Sequence, residues 1–287
     1  MTKRVVAVLG RGVVDADAEV LTSDDLGLTR GDGCFEATRV VTGADGSHRI
    51  DHLPEHFERF QRSSEELALP DVDVAAWRAL IDEMVAAWDV PGESMLKLML
   101  TRGRESSPGG PVTGIASLTP LADKTVRQRR EGISVITLSR GTASDAFAGA
   151  PWLLGGVKTL SYAVNVAAGR VAEQRGADDV LFTSSDGYLL EGPTSAVVWL
   201  ADGTLHTTPT GATGILDSIT QRALFAAAAD AGIATRYQLG TAADLRAADG
   251  AWLVSSGRGP ARITALNGNP LHHTPGLSDQ ITALAGF

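Results

Sequence analysis

The sequence contains a single cysteine, Cys34, among its 287 residues. One cysteine excludes an internal disulfide framework and is typical of a protein kept in a reducing compartment. The chain also has no apolar run long enough to span a membrane. The apolar stretch behind its first basic residues is too short for a signal peptide and lacks a cleavage pattern. We therefore expect a cytoplasmic protein.

Basic residues are also fewer than acidic residues. The 25 Lys and Arg are outnumbered by 34 Asp and Glu, which gives a formal net charge of −9. This balance argues against a general binder of nucleic acids or anionic membranes. Apolar residues make up 44% and charged residues 21% of the chain, as in soluble globular proteins. The length allows one large domain or two ordinary ones with a substantial core.

The hydrophobic pattern predicts an α+β fold in two domains. Residues 1–118 combine short β-branched strands with two amphipathic helices and form a small N-terminal α/β domain. The polar stretch 119–130, with a proline and a charge cluster, is expected to connect the domains. Residues 131–287 alternate helices with short strands and glycine-containing turns, which predicts a larger mixed β/α domain.

Lys158 is an unusual residue for its surroundings. It is the only charged side chain between Asp145 and Arg170, in a stretch of apolar, small and uncharged residues. Burying an unpaired lysine is costly and lowers its pKa. One interpretation is a surface lysine whose stem lies along apolar neighbours. The other is a lysine kept partly neutral to act as a base or nucleophile, as Schiff-base lysines do.

Other polar residues can likewise be interpreted either structurally or as parts of a binding site. Glu191 ends an apolar strand in front of small residues, so it is either solvated or protected beside a cationic partner. Ser218, Ile219 and Thr220 begin a predicted helix, whose first N–H groups can bind phosphate or can simply be capped. The small residues of 255–259, including Ser256 and Gly257, form a second candidate anion site or a plain turn.

Other motifs predict little chemistry. His52 and His56 have the spacing of zinc proteases, but Pro54 interrupts the turn and no glutamate follows His52. We expect helix-entry histidines rather than a metal site. The glycine-rich stretches GRGVV and SSGRGP match neither a dinucleotide fingerprint nor a P-loop. Cys34 is expected to be a small buried hydrophobe.

The combination of Lys158, Glu191 and the phosphate-binding turns matches one cofactor. Pyridoxal 5′-phosphate needs a lysine for its Schiff base, a carboxylate at its pyridine nitrogen and a cradle for its phosphate. Five stretches, in this order, resemble motifs of the fold type IV pyridoxal-phosphate enzymes, and the resemblance covers nearly the whole chain. They are RGDGCFEATRV, EHFERFQRSSEEL, VKTLSYAVNVAA, LLEGPTSAVVW and GILDSITQRAL.

The resemblance implies a role for each matching residue. Lys158 would form the Schiff base and carry protons, Glu191 would keep the pyridine nitrogen protonated, and Tyr162 would lie near the cofactor hydroxyl. The residues implied to hold the phosphate are Arg59, Ser218, Ile219 and Thr220, with Ser256 or Gly257. The resemblance also implies a homodimer with the active site near its interface.

Two departures from the family pattern concern the second half of the chain. Ser218 and Gln221 stand where a glycine and an arginine commonly flank the phosphate-binding Ile-Thr pair. Ala196 replaces an asparagine that is common after the glutamate motif, so any polar role of that asparagine is absent.

Family members differ in reaction, and the sequence favours one of them. The GDGCF stretch and the chain length resemble aminodeoxychorismate lyases, whereas branched-chain aminotransferases are usually longer and carry another signature. D-amino acid aminotransferases usually have tyrosine at Phe35, a predicted substrate contact, but they share the TRG strand end at 101–103. Arg102 and Arg104, in a segment predicted to be mobile (102–110), are expected to bind substrate carboxylates.

The leading prediction is therefore a 4-amino-4-deoxychorismate lyase that releases pyruvate and 4-aminobenzoate for folate synthesis. The alternatives are a D-amino acid or branched-chain-type aminotransferase, and a homologue that binds the cofactor without catalysis. Retention of Lys158, Glu191 and Arg59 together argues against the non-catalytic homologue.

Overall fold

The computed structural model describes residues 3–287, and their packing separates into two compact units. The first unit comprises the chain up to Ala122 together with Val157–Tyr162. The second comprises Asp123–Gly156 and Ala163–Phe287. The segment that contains Lys158, expected in the C-terminal domain, thus packs with the N-terminal part of the chain. Most of the expected connection is a helix, Asp123–Glu131.

A six-stranded antiparallel sheet forms the centre of the first unit. Its strands are β1 Val5–Val8, β2 Gly12–Val14, β3 Gly33–Thr42, β4 His48–Ile50, β5 Gly92–Thr101 and β6 Thr113–Pro120. They are ordered β2-β1-β6-β5-β3-β4. On β3 the alternate residues Cys34, Glu36, Thr38 and Val40 are all buried, as expected when one face of a strand packs against the core.

Three helices belong to this unit: α1 Leu26–Arg30, α2 Leu53–Glu66 and α3 Val74–Ala86. Asp73 is the N-cap of helix α3, and its side chain accepts a hydrogen bond from the backbone N–H of Ala76. The apolar stripes of α2 and α3 pack on the sheet and place Phe60 and Trp77 in edge-to-face contact. This packing presents one face of α2 to β3.

The second unit is built on an eight-stranded mixed sheet with β7 Ile133–Ser139, β8 Asp179–Thr183, β9 Ala196–Ala201, β10 Thr204–Thr207, β11 Ala234–Tyr237, β12 Gly250–Ser255, β13 Gly259–Leu266 and β14 Asn269–Pro270. The main order is β11-β10-β9-β12-β13-β7-β8, and β14 pairs with β13. Strand pairs β7–β8, β7–β13 and β10–β11 are parallel. The turn between β9 and β10 has positive φ at Asp202 and Gly203, as tight hairpins require.

The helices of this unit are α4 Asp123–Glu131, α5 Ala163–Gln174, α6 Ile219–Asp230, α7 Ala242–Ala247 and α8 Leu277–Leu284. Helices α6 and α8 pack their apolar residues around Trp252, which is fully buried. Among residues 3–287, no helix has the length and apolar character needed to cross a membrane.

The segment Val157–Tyr162 pairs with one end of β3. Strand β4 covers β3 only at Val40–Thr42, which leaves the other end of this edge for a different partner. There the N–H of Phe35 donates to the carbonyl of Lys158 at 3.0 Å, and the N–H of Leu160 donates to that of Gly33 at 2.9 Å. The backbone of Lys158 is therefore held by main-chain hydrogen bonds to the sheet.

Gly33 allows this close approach, and we predict that Gly33→Ala destabilises the fold. A Cβ at this position would collide with the carbonyl oxygen of Leu100 and lie 2.7 Å from Cδ1 of Leu160. The expected loss is about 1–3 kcal/mol of unfolding free energy, measured by urea denaturation. Gly169→Ala is the control: nothing lies within 4 Å of a Cβ there, and on a helix it should stabilise by about 0.5–1 kcal/mol. Equal stability of Gly33→Ala and wild type would contradict the prediction.

Candidate active site

The amine of Lys158 lies among aromatic rings. Its Nζ is 4.2 Å from the ring centroid of Phe35 and 6.0 Å from that of Tyr162. The two rings contact each other edge to face with their centroids 5.3 Å apart. The Lys158 backbone N–H also donates to Ser63 Oγ on α2 at 3.3 Å. The structure thus brings together three of the predicted site residues on the first unit: Phe35, Lys158 and Tyr162.

Arg59 is buried on α2 and forms a bidentate ion pair that the sequence analysis missed. Its Nε donates to Glu36 Oε1 at 2.6 Å and its Nη2 donates to Glu36 Oε2 at 2.8 Å. Arg59 is 5% and Glu36 1% exposed, so the pair is almost completely removed from water. Parallel hydrogen bonds of this kind fix the plane of the guanidinium group.

His56 completes a buried group of three residues. Its Nδ1 lies 2.6 Å from Glu36 Oε2. Burial raises the pKa of Glu36, but Arg59 and His56 outweigh it and bring that pKa down to about 2. Burial lowers the pKa of His56 despite its bond to Glu36. The ionised Glu36 is an acceptor only, so Nδ1 of a neutral His56 carries the hydrogen and donates it.

A sequence signal for this group did exist. Glu36 shares a face of β3 with Cys34 and Val40, and His56 and Arg59 are three residues apart on one face of α2. The two histidines of this stretch differ in their surroundings. His56 is buried against the Glu36 carboxylate, whereas His52 is exposed at the N-terminal end of α2. Within the described part of the chain, no cluster of three or more residues has the composition of a metal site.

Glu191 lies in the second unit and has the cationic partner that its position required. Arg140 Nη1 is 3.5 Å from Glu191 Oε1, and the N–H of Leu216 donates to Oε2 at 3.1 Å. The side chain of Glu191 is 14% exposed. Arg140, which directly follows β7, also lies over the ring of Phe182, 5.2 Å from its centroid. Arg140 was not predicted from the sequence.

The start of α6 has the features of an anion site. Ser218 caps the helix by accepting from the N–H of Gln221 at 3.3 Å, so the serine that replaces the family's glycine has a structural use. The N–H groups of Ile219 and Thr220, in the first turn, have no intrahelical acceptor. Thr220 Oγ1 lies 3.1 Å from Ser256 Oγ. The structure therefore brings Ser218, Ile219, Thr220 and Ser256 together.

The turn that carries Ser256 and Gly257 connects β12 to β13 and is held by buried charges. Arg258 Nη2 lies 2.8 Å from Asp179 Oδ2, and both residues are 9% exposed. Arg129 Nε donates to the backbone carbonyl of Arg258 at 2.7 Å. Arg258 and Asp179 were not predicted, and they support the turn from positions next to the candidate anion-binding residues.

Arg102 and Arg104 already have carboxylate partners in this chain. Arg102 donates from Nε and Nη2 to both oxygens of Asp32, at 2.6 and 3.1 Å. It also donates to the carbonyls of Leu67 and Ala68, at 2.5 and 3.0 Å, where α2 ends. Arg104 pairs with Asp24 at 3.1 Å. These contacts restrain Arg102 and Arg104, at the start of the segment that was expected to be mobile. Substrate binding by either arginine remains a prediction.

Comparison with known proteins identifies the family. The family model of the class IV amino-transferases matches residues 33–266, a range that includes Lys158, Glu191 and both candidate anion-binding turns. The chain therefore belongs to the class IV aminotransferase family. The resemblance stated from the five sequence motifs is confirmed.

Individual relatives cover nearly the whole chain. The bifunctional aminodeoxychorismate lyase / D-amino acid transaminase of Mycobacterium tuberculosis is 37% identical over 279 residues, which are 94% of each protein. The PLP-bound form of a hypothetical aminotransferase from Mycobacterium tuberculosis superimposes with a TM-score of 0.92 at 37% identity, covering 99% of this chain and 97% of that one. A fold IV-transaminase from Curtobacterium pusillum superimposes with a TM-score of 0.90 at 40% identity, covering 99% of this chain and 100% of that one. The predicted fold class is confirmed.

Cys34 adjoins the Lys158 segment, and we predict that its thiol is unreactive in the folded protein. Burial, and then the negative charge of Glu36, raise the pKa of Cys34 to about 12, so at pH 8 the group is the protonated thiol. Because the thiolate is the reactive form, labelling by a disulfide reagent should be slower than in denaturant by at least about a hundredfold. Rapid labelling of the native protein would show that this end of β3 is open to solvent.

Proposed function

We propose that the chain binds pyridoxal 5′-phosphate covalently through Lys158. The observation that carries this proposal is the placement of the Lys158 amine against the rings of Phe35 and Tyr162, on backbone fixed by β3. The amine thus lies over the face of one ring and near a second, and its backbone is fixed by the sheet. The PLP-bound relative, which shares 37% of its residues with this chain, supports the same assignment.

The residues of the second unit fit the remaining needs of this cofactor. A pyridine nitrogen calls for a carboxylate, and Glu191 is held by Arg140 and by the Leu216 N–H. A phosphate calls for N–H and hydroxyl donors, and the first turn of α6 offers both. On the first unit, Arg59 is the proposed cationic phosphate ligand. Its pairing with Glu36 uses Nε and Nη2 of a guanidinium group that has five N–H donors in one plane.

Each proposed role follows from what the side chain can do. When bound, the cofactor supplies an electron-accepting ring that stabilises negative charge at the carbon beside the substrate nitrogen. Lys158 would remove the proton from that amine-bearing carbon and would then deliver a proton elsewhere, in the lyase to the departing enolpyruvate. Glu191 would hydrogen-bond the ring nitrogen, and Phe35 and Tyr162 position the amine of Lys158.

For the reaction, we propose the lyase. Lys158 takes the proton from the amine-bearing carbon of 4-amino-4-deoxychorismate, the bond between the ring carbon and the enolpyruvyl oxygen breaks with its electron pair on oxygen, and the ring becomes aromatic. The released enolpyruvate takes up one proton at its methylene carbon and becomes pyruvate. The products, pyruvate and 4-aminobenzoate, together contain every atom of the substrate. The GDGCF stretch and the lyase activity in the name of the Mycobacterium tuberculosis relative support this choice.

A D-amino acid transaminase is the second candidate, either as the main activity or beside the lyase. The name of the same relative includes that activity, and the relative from Curtobacterium pusillum is a transaminase at 40% identity. A transaminase begins with the same proton removal by Lys158 but passes the amino group to a keto acid. A non-catalytic cofactor binder has no comparable support.

We further propose that the chain forms a homodimer. Apolar side chains of the second unit are strongly exposed in the single chain: Trp152 by 74%, Val164 by 63% and Val166 by 50%. Large exposed apolar residues favour contact with another protein surface, and a second copy of this chain is the proposed partner. The other proposed partner is the small-molecule substrate.

We predict that Lys158→Ala abolishes covalent cofactor attachment. The variant should lack the absorbance band that wild type gains with pyridoxal 5′-phosphate, and borohydride should trap no cofactor on it. Turnover should fall by at least about a thousandfold, because the nucleophile and the base are removed together. Lys97→Ala, which removes an exposed lysine of β5, is the matched control and should behave as wild type. A trapped adduct on Lys158→Ala would place the attachment lysine elsewhere.

A product assay separates the two proposed reactions. With 4-amino-4-deoxychorismate, the wild-type protein should form pyruvate and 4-aminobenzoate in equal amounts, and no keto acid needs to be added as an amino acceptor. Incubation of D- and L-amino acids with a keto acid measures amino-group transfer. Transfer from D-amino acids without any pyruvate release from the lyase substrate would establish the transaminase instead. Cofactor binding with neither activity would establish the non-catalytic homologue.

A further inference from the structure

We propose that Glu36 is the positioning residue that orients Arg59 toward the cofactor phosphate, and that His56 holds Glu36 in place. This inference rests on the proposed binding of pyridoxal 5′-phosphate. It adds two residues, Glu36 and His56, that do not themselves contact the phosphate.

The geometry assigns each edge of the Arg59 guanidinium a different task. Glu36 accepts from the edge formed by Nε and Nη2, at 2.6 and 2.8 Å. An arginine has five N–H donors in a rigid plane, so fixing one edge also fixes the direction of the other. The hydrogens of Nη1 and the second hydrogen of Nη2 are those suited to an anion with several oxygens.

The two anchoring residues come from different elements, which limits movement. Glu36 is on β3, whose backbone is paired with β5 along its length. Arg59 and His56 are on α2 and reach Glu36 from the same helix face. Glu36 Oε2 accepts from both Arg59 Nη2 and His56 Nδ1, while Oε1 accepts from Arg59 Nε. Rotation of the carboxylate would break bonds to both partners.

Charge and orientation are two separable contributions of Glu36. Glu36 and Arg59 together carry no net charge, and burial lowers the pKa of His56, which favours its neutral form. A carboxylate near a phosphate would, by charge alone, repel it and weaken binding. If only the charge of Glu36 matters, removing that charge should tighten phosphate binding. If Glu36 acts by orienting Arg59, removing it should weaken phosphate binding.

Glu36→Gln tests this difference. The amide has one acceptor oxygen and one N–H₂ group, whereas four donors face this side chain, two from Arg59, one from His56 and the backbone N–H of Ala37. A donor–donor conflict must therefore release Arg59 or His56. The dissociation constants of pyridoxal 5′-phosphate and of pyridoxal, which lacks the phosphate, are measured for wild type and variant. We expect the first to rise about tenfold to a hundredfold and the second to remain unchanged.

The control is Glu93→Gln. Glu93 accepts from the buried Arg39 at 2.7 Å in the same sheet, so this variant also loses a carboxylate from an ion pair of the first unit. It should change neither dissociation constant. The inference is overturned if Glu36→Gln leaves pyridoxal 5′-phosphate affinity unchanged or higher, or if it weakens both ligands equally, which would indicate a general structural effect.

Substitutions of His56 give an independent test that does not need the Glu36 variant to fold. Asn places an amide N–H near the position of Nδ1, whereas Leu has no donor. His56→Asn should retain wild-type affinity for pyridoxal 5′-phosphate, and His56→Leu should lose affinity for it but not for pyridoxal. Equal behaviour of the two variants would contradict the role of His56.

A double substitution links the effect to Arg59. Because Glu36 acts through Arg59, Glu36→Gln should have no further effect on pyridoxal 5′-phosphate affinity in a protein that already carries Arg59→Ala. An added loss there would show that Glu36 acts by another route. If wild type binds neither ligand, the proposed function fails; if wild type binds both and the variants match it, only this inference fails.

Discussion

The main-chain pairing between β3 and residues 158–160 is the constraint on which the candidate site depends. It joins a lysine from the middle of the chain to a strand that begins at Gly33. The same strand presents Phe35 to the lysine amine, and on its other face it presents Glu36 to Arg59. Because successive residues of a strand point to opposite faces, one strand serves both contacts.

Three carboxylates of the described chain, Glu36, Glu191 and Asp179, each pair with an arginine. Glu36 faces Arg59 in the first unit, while Glu191 faces Arg140 and Asp179 faces Arg258 in the second. An unpaired buried charge would be strongly destabilising, and in each of these pairs the arginine compensates the carboxylate. The partners also restrict side-chain rotation, and the candidate groups are consequently held in defined orientations.

The sequence was informative where a residue breaks a local pattern. Lys158, Glu191 and Thr220 were identified because each is polar within an apolar stretch or at a helix start. Glu36 and Arg140, the partners of Arg59 and Glu191, were not predicted because the contacts span long separations: 23 residues for Glu36 and Arg59, and 51 for Arg140 and Glu191. Such contacts depend on strand order, which local periodicity does not encode. For the same reason, the sequence did not indicate that Val157–Tyr162 packs with the N-terminal unit.

The insertion of Val157–Tyr162 into the first unit has a consequence for the order of folding. A nascent chain synthesised as far as Ala122 contains all six strands of the first sheet, but the edge of β3 at Gly33–Phe35 still lacks its partner. Its open backbone groups are a template for incorrect pairing until residues 158–160 emerge from the ribosome. The first unit is therefore completed only after part of the second has been synthesised, which couples the maturation of the two units in time.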